Sequence, residues 1–241
     1  MSKIPFYIGN FVACFVPGSD QRAHVRGWIN IILYQRKIAK LIHDAYGCRV
    51  TGIRFVRQRT LNRMVCVVND KYYVKIFRDL SPARVCHFAD LIRYIRPYIS
   101  VAIPEIIASH TAPMYVCARV PGHHIEHFSP DTLIAAADKI HAQVAQIITQ
   151  IQSIDVKKIP NYKQFYTPMQ EHRNIKNMPG HRAVLVHFDI NETNLMFDDN
   201  LNVCALIDWD TISIAANLDV DMNNFMHHWD RHMGYLVKKY R

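Results

Sequence analysis

The chain has 241 residues, and 29 Lys+Arg against 20 Asp+Glu give it a formal charge of +9 with its 14 histidines counted as neutral. Half of the residues are hydrophobic and 20% are charged, which excludes a disordered scaffold, because disorder needs low hydrophobicity and high charge density. A chain of this length buries about 70% or more of its unfolded surface, enough for one large domain or two joined lobes. Its apolar runs fall far short of the about 20 residues that a bilayer crossing needs. The stretch from Ile8 to Val16 is interrupted by Gly9 and Asn10 and does not read as a secretory leader. Cys14, Cys48, Cys66, Cys86, Cys117 and Cys204 stand far apart with no Cys-x-x-Cys pair, a pattern of free thiols in a reducing compartment.

Val25, Trp28, Ile29, Ile32, Ala39, Ile42 and Ala45 recur at three-and-four spacing and predict a helix over 21–47 that ends at Gly47. Arg49 to Val56 reads as a strand. Arg63 to Val68 and Tyr72 to Phe77 follow as a pair joined by the turn Asn69-Asp70-Lys71. Ser81-Pro82 opens a helix whose apolar face is Val85, Phe88, Ala89, Ile92 and Ile95. Two further strands are expected at Pro104 to Ser109 and Met114 to Val120, the second stopped by Pro121-Gly122. The first 120 residues therefore read as an antiparallel sheet carrying a helix.

Ser129-Pro130-Asp131 starts a long helix with the stripe Leu133, Ala137, Ile140, Val144, Ile147, Ile148 and Ile151. Lys157 to Arg182 is polar, basic and broken by prolines, and reads as a loop-rich excursion. Three short strands, Val184 to Phe188, Leu195 to Phe197 and Val203 to Ile207, precede a final helix from about Asp219. The fold class is α+β, a small antiparallel-sheet lobe followed by a mainly helical one.

The chemistry concentrates late in the chain. His187-Phe188-Asp189 with Asn194 makes H-x-D-x-x-x-x-N, and Ile207-Asp208-Trp209-Asp210 comes one hairpin later. Upstream, Lys75 sits inside a strand. Phosphoryl transfer from ATP needs oxygen ligands for magnesium, a carboxylate to hold the acceptor hydroxyl, and a cation on the donor phosphates. Asp189 fits the acceptor role, Asn194 and Asp208 the Mg2+ ligands, and Lys75 the α- and β-phosphates. Each of these residues alone has a simpler reading, as a turn residue or a solvated strand charge. Their combination and order is what carries the signal.

Residues 49 to 221 resemble the protein-kinase-like superfamily: strand Lys75, a connecting segment Arg119-Val120-Pro121-Gly122, the loop His187 to Asn194, and the metal-binding Asp208. The Ile-Asp-Trp-Asp wording resembles the aminoglycoside phosphotransferase and choline kinase group. The small size and the run from His187 to Asp198 resemble minimal effector kinases that bacteria inject into host cells by type III secretion. The resemblance implies a minimal two-lobed kinase fold, with 1–48 as an N-terminal extension, 49–120 as the first lobe and 121–241 as the second. It implies ATP and Mg2+ as cofactors, with adenine received on backbone groups near Cys117 to Val120, Arg119 and Val120 included, and a third supporting carboxylate at Asp219 or Asp221.

The departures from the family also count. Arg57 to Asn62, where the phosphate-covering loop belongs, contains no glycine, and Asp90 is the only carboxylate within 82–96 that could partner Lys75. The interval from Asp208 to Asp221 is too short for a phosphorylated activation loop. Only 33 residues follow Asp208, little room for a helical subdomain that binds small acceptors. The leading expectation is thus a Ser/Thr protein kinase effector, secreted into the host cytoplasm as a virulence factor or otherwise kept in the bacterial cytoplasm. Its partner would be a host protein, with a chaperone or ubiquitin-pathway protein conceivable by analogy. The alternatives are a small-molecule kinase of the aminoglycoside, choline or sugar type, and a pseudokinase binding module.

Other signals read as ordinary surface. His123, His124 and His127 follow a Pro-Gly turn and read as surface histidines and not as a metal site. Arg54, Arg57, Arg59 and Arg63 and the tail Lys238-Lys239-Tyr240-Arg241 do not make a case for nucleic acid, since a basic patch over a nucleotide explains the arginines equally well. The net charge argues against a polycationic antibiotic acceptor.

Overall fold

The computed structural model describes residues 19–56, 63–161, 183–215 and 219–240. They divide into two compact units, one of residues 1–90 with 105–119 and the other of 91–104 with 120–241. The Arg57 to Asn62 loop and most of the excursion before Arg182 lie outside the described residues.

The first unit is built on five antiparallel strands, β1 (Ile53–Val56), β2 (Arg63–Val68), β3 (Tyr72–Phe77), β4 (Ile106–Ala108) and β5 (Met114–Ala118), in the order β1-β2-β3-β5-β4. The β2–β3 hairpin closes through Asn69 and Asp70, both with positive φ (52° and 54°), the mirror-image turn that matches strand twist. Asn69 is also a staple. Its Oδ1 accepts from the amides of Thr51 and Gly52 at 2.8 and 3.2 Å, and its Nδ2 donates to Arg49 O at 2.8 Å. These bonds hold the chain before β1 out of the ladder, so that strand is shorter than the sequence pattern suggests.

Helix α1 (Ser19–Tyr46) covers one face of this sheet. Tyr34, Ile38, Leu41 and Ile42 pack on Met64, Cys66, Val68, Val74, Ile76, Met114 and Val116. The buried stripe of the helix therefore runs through Tyr34 and Ile38. Ile32, assigned to it from spacing, is 63% exposed, because two residues on a helix differ by about 200° in direction. Helix α2 (Pro82–Ile95) starts where Ser81 Oγ accepts the Arg84 amide at 3.2 Å. Its Phe88 ring meets Tyr115, which also meets Phe77, on the sheet face away from α1.

The second unit holds α3 (Pro130–Ala135), α4 (Ala137–Ser153) and α5 (Val220–Tyr240), with two two-stranded ribbons. One ribbon pairs β6 (Val184–Val186) with β9 (Ser213–Ala215), the other β7 (Leu195–Phe197) with β8 (Val203–Leu206). The single long helix expected after Ser129 is two, because Ala136 leaves helical geometry (φ −98°, ψ 1°). Ser129 caps the first through Thr132. Ile140, Val144, Ile147, Ile148 and Ile151 form the buried stripe of α4, and His141 lies edge-on to Phe225 and Trp229 of α5.

Among the described residues Cys48, Cys66, Cys86, Cys117 and Cys204 are free thiols. Burial pushes the Cys66 thiol up to about 12, which keeps it protonated and inert. No described helix is long and apolar enough to cross a membrane.

Candidate active site

The loop leaving β6 is organised by its own side chains. His187 is fully buried, stands edge-on to Trp209 at 4.6 Å between ring centroids, and accepts the Asp189 amide on Nδ1 at 3.3 Å. Trp209 is buried in turn and donates Nε1 to Leu206 O at 2.8 Å. This histidine is structural: it sets the direction in which the chain reaches Asp189.

Asp189 is gripped from both sides. Asn191 Nδ2 donates to Asp189 Oδ1 at 3.0 Å, and Asn194 Nδ2 donates to Oδ2 at 3.0 Å. Both amides also reach the Asp189 main-chain carbonyl, at 3.1 and 2.9 Å. Asn191 Oδ1 meanwhile accepts from Thr193 N and Oγ1 at 3.0 and 2.6 Å. The five-residue spacing between Asp189 and Asn194 is therefore a closed turn, and it fixes one χ state of the carboxylate. Asn191 was not singled out from sequence, since Asn is common in loops for backbone reasons alone.

Asn194 leads straight into β7, and its carbonyl accepts the Ile207 amide at 2.9 Å. That bond sets the chain just before Asp208 beside Asn194. Asp208 itself takes the left-handed conformation, φ 59° and ψ 53°, at the start of the short turn Trp209–Thr211. Non-glycine residues enter that region at a cost, Asp less than most. With Asn194 Nδ2 turned onto Asp189, its Oδ1 is the amide atom facing the other way. Asn194 Oδ1 and the Asp208 carboxylate are hard oxygen donors, the chemistry that Mg2+ selects, so these residues fit the ion the motif implies.

The loop is anchored to α5. Asp221, fully buried, accepts the His187 amide on Oδ2 at 2.9 Å and the Phe188 amide on Oδ1 at 2.7 Å, and Asn224 Nδ2 donates to Phe188 O at 2.8 Å. Thr211 Oγ1 donates to His187 O at 2.8 Å. Of the two carboxylates considered for a supporting role, Asp221 makes these bonds and Asp219 is exposed. Burial raises the Asp221 carboxyl above the ordinary 3.8, and the two backbone amides pull it back down. A second buried carboxylate, Glu192, lies 3.5 Å from His232 Nδ1 of α5.

The remaining sequence-derived residues belong to the first unit or its border. Lys75 is half-buried on β3, the middle strand, opposite Val65 and Tyr115. Val74 and Ile76, its neighbours, point into the α1 core, so strand alternation puts Lys75 on the α2 face. Asp90 is exposed on α2. Cys117 is buried in β5, Arg119 donates its amide to Lys71 O at 3.0 Å, and Val120 opens the second stretch of the second unit.

A family model described as the phosphotransferase enzyme family, APH, matches residues 52–164 and 161–216, more than half of the chain. No curated protein sequence matches the chain. Among solved structures, the GDP complex of wild-type aminoglycoside 2'-phosphotransferase-IIIa superposes with a TM-score of 0.60 at 13% identity, covering 86% of this chain and 82% of that one. The streptomycin–ATP complex of APH(2")-IIa gives 0.55 at 15% identity, over 77% and 74%. The apoenzyme of macrolide 2'-phosphotransferase MphH from Brachybacterium faecium gives 0.53 at 14% identity, over 81% and 77%. At these identities the likeness is one of fold.

Proposed function

This chain belongs to the APH phosphotransferase enzyme family, and from that premise we propose that it moves the γ-phosphoryl group of ATP to a hydroxyl of a small molecule. The observation that carries the reading is the grip of Asn191 and Asn194 on Asp189, which holds one carboxylate in a fixed orientation for an acceptor hydroxyl. Bound Mg2+ would neutralise charge on the transferred phosphoryl group. In this reading Asp189 orients the acceptor hydroxyl and takes its proton, Asn194 and Asp208 hold the ion, and Lys75 binds the donor phosphates. The left-handed Asp208 is local strain at the residue assigned to the metal, as functional sites often show.

The acceptor is read from the neighbours and from charge. The similar structures include enzymes named as aminoglycoside and macrolide phosphotransferases, which supports a small alcohol over a protein. A formal charge of +9 disfavours a polycation such as an aminoglycoside and favours a neutral or anionic alcohol.

The same charge supports a second reading, transfer to a serine or threonine on an acidic protein surface, and with it delivery into a host cell as an effector. Label transfer from γ-labelled ATP with Mg2+ separates the two. Label in a panel of small alcohols, absent with Asp208→Ala, supports the first reading. Labelled bands in eukaryotic lysate that vanish in the variant would replace it by the second.

A further inference from the structure

The turn after Pro121-Gly122 carries His123 and His127, and the carboxylate grouped with them is not that of the intervening Glu126. The structure supplies it from about seventy residues away: Asp199, in the turn between β7 and β8, has Oδ1 3.2 Å from His123 Nε2. His127 stacks on His123 with ring centroids 4.0 Å apart and planes 11° from parallel. One ligand atom from each of His123, His127 and Asp199 lies within 4.8 Å of the others.

We propose that His123, His127 and Asp199 form a binding site for a first-row divalent transition ion, Zn2+ in the first instance, separate from the oxygen-donor pair Asn194 and Asp208. Zn–N and Zn–O bonds of about 2.0 Å in a tetrahedron put ligand atoms about 3.3 Å apart. The His123–Asp199 separation already matches that edge, and His127 closes the rest by side-chain rotation. Two imidazoles and one carboxylate suit Zn2+ and its neighbours in the series, whereas Mg2+ and Ca2+ prefer oxygen ligands throughout. Three protein ligands leave a fourth position for water or another donor.

The scaffold under these ligands is fixed. His123 N donates to Phe197 O at 2.8 Å and Phe197 N to His123 O at 2.9 Å, so the two ligand-bearing segments are paired by main chain. Gly122 has φ 102°, and a Cβ there would stand 2.5 Å from Cys204 Sγ and 3.0 Å from Phe197 O, so only glycine permits the approach. Phe128 fills the underside, edge-on to His123, His127 and Phe197. On the other segment, Asp198 Oδ1 accepts the amides of Asn200 and Asn202 at 2.9 and 2.8 Å, which shapes the turn. Helix α4 holds that turn through Lys139 Nζ on Asn200 O at 2.7 Å and Gln143 Oε1 on Val203 N at 2.6 Å. The bound ion would clip the entry of the second unit to the far end of the hairpin whose near end carries Asn194 and Asp208. All three ligands lie at the surface, so the ion can enter and leave.

The test is titration of the full chain with Zn2+ alone in excess Mg2+, for wild type, His127→Ala and Asp199→Asn. The expected result is one tight equivalent in the wild type, lost in both variants. Its thermal midpoint should rise on the order of 5 °C at about a hundredfold excess of Zn2+ over its Kd, with no such rise in the variants. The metal-free midpoints show that each variant is folded, and either one folded variant suffices. Equal Zn2+ uptake by all three proteins would place the ion on other histidines and overturn the site, as would no uptake by the wild type.

Discussion

Asp221 Oδ1 accepts the amide of Phe188 at 2.7 Å, and Phe188 has a positive φ of 68°. A bulky aromatic residue rarely adopts that geometry. A fully buried carboxylate from the first turn of α5 thus holds open the strained residue that precedes Asp189. Asn224, one turn further, takes the carbonyl of the same residue.

Replacing Asp221 by Asn leaves one oxygen for two amide donors and turns an NH2 group toward the other. The expected cost is about 1–3 kcal/mol of folding stability, read as a shift of the urea midpoint at constant m. The pH dependence gives a second readout. Because the folded carboxyl is raised above 3.8, the native state binds more protons than the unfolded one in the window above that value, so this group's contribution falls as pH rises through the window. That downward slope should be absent from Asp221→Asn; an unchanged slope would remove Asp221 as its source.

Asp189→Asn should lower kcat of phosphoryl transfer by about 10²–10⁴, the usual worth of a positioned proton acceptor. The melting temperature should change by only a few degrees, since Asp189 is half-buried and the two side chains that grip it, Asn191 and Asn194, are neutral amides. An Asp189→Asn protein with wild-type turnover would rule out the acceptor role.

Trp209→Phe removes the bond to Leu206 O and part of the contact with His187. A cost of about 1–3 kcal/mol is expected in thermal or chemical unfolding. Activity should fall as well, because His187 directs the chain into Asp189. A loss of stability with turnover intact would separate the tryptophan from the loop.

Gly122→Ala puts a methyl group against Cys204 Sγ and forces alanine into φ 102°. Destabilisation of about 1–3 kcal/mol should follow. Adding Cys204→Ala should recover the steric part and leave the backbone part, so the double variant is less destabilised than the sum of the two single ones. Strict additivity would show that the clash is relieved elsewhere.

Much of the fold was legible in the sequence because its local signals agree. The hairpin from Arg63 to Phe77 has alternation on both strands and turn residues between them, and its bounds match the observed ones. Ser81-Pro82 marks the start of α2 for the same reason. Strand β9, Ser213 to Ala215, escaped because its partner β6 lies far upstream and no hairpin turn joins the two. The break at Ala136 escaped because an alanine run carries no stop signal. In the site, His187, Asp189, Asn194 and Asp208 stand out by spacing, whereas Asn191 and Asp221 act through hydrogen bonds to main chain and neighbours. Asp199 was missed since its partners are close in space and far apart along the chain.

The anchoring of the loop has a consequence for biosynthesis. His187 and Asp221 are 34 positions apart, and among the described residues β6 pairs with β9, which precedes Asp221 by a few residues. A nascent chain emerging from the ribosome therefore carries the segment from His187 to Asn194 for some time before Asp221 and Asn224 can bond the main chain of Phe188. The loop acquires its observed geometry only once α5 has been made and has docked, so a ribosome stall just before that helix would leave the segment from His187 to Asn194 without its anchor on Asp221.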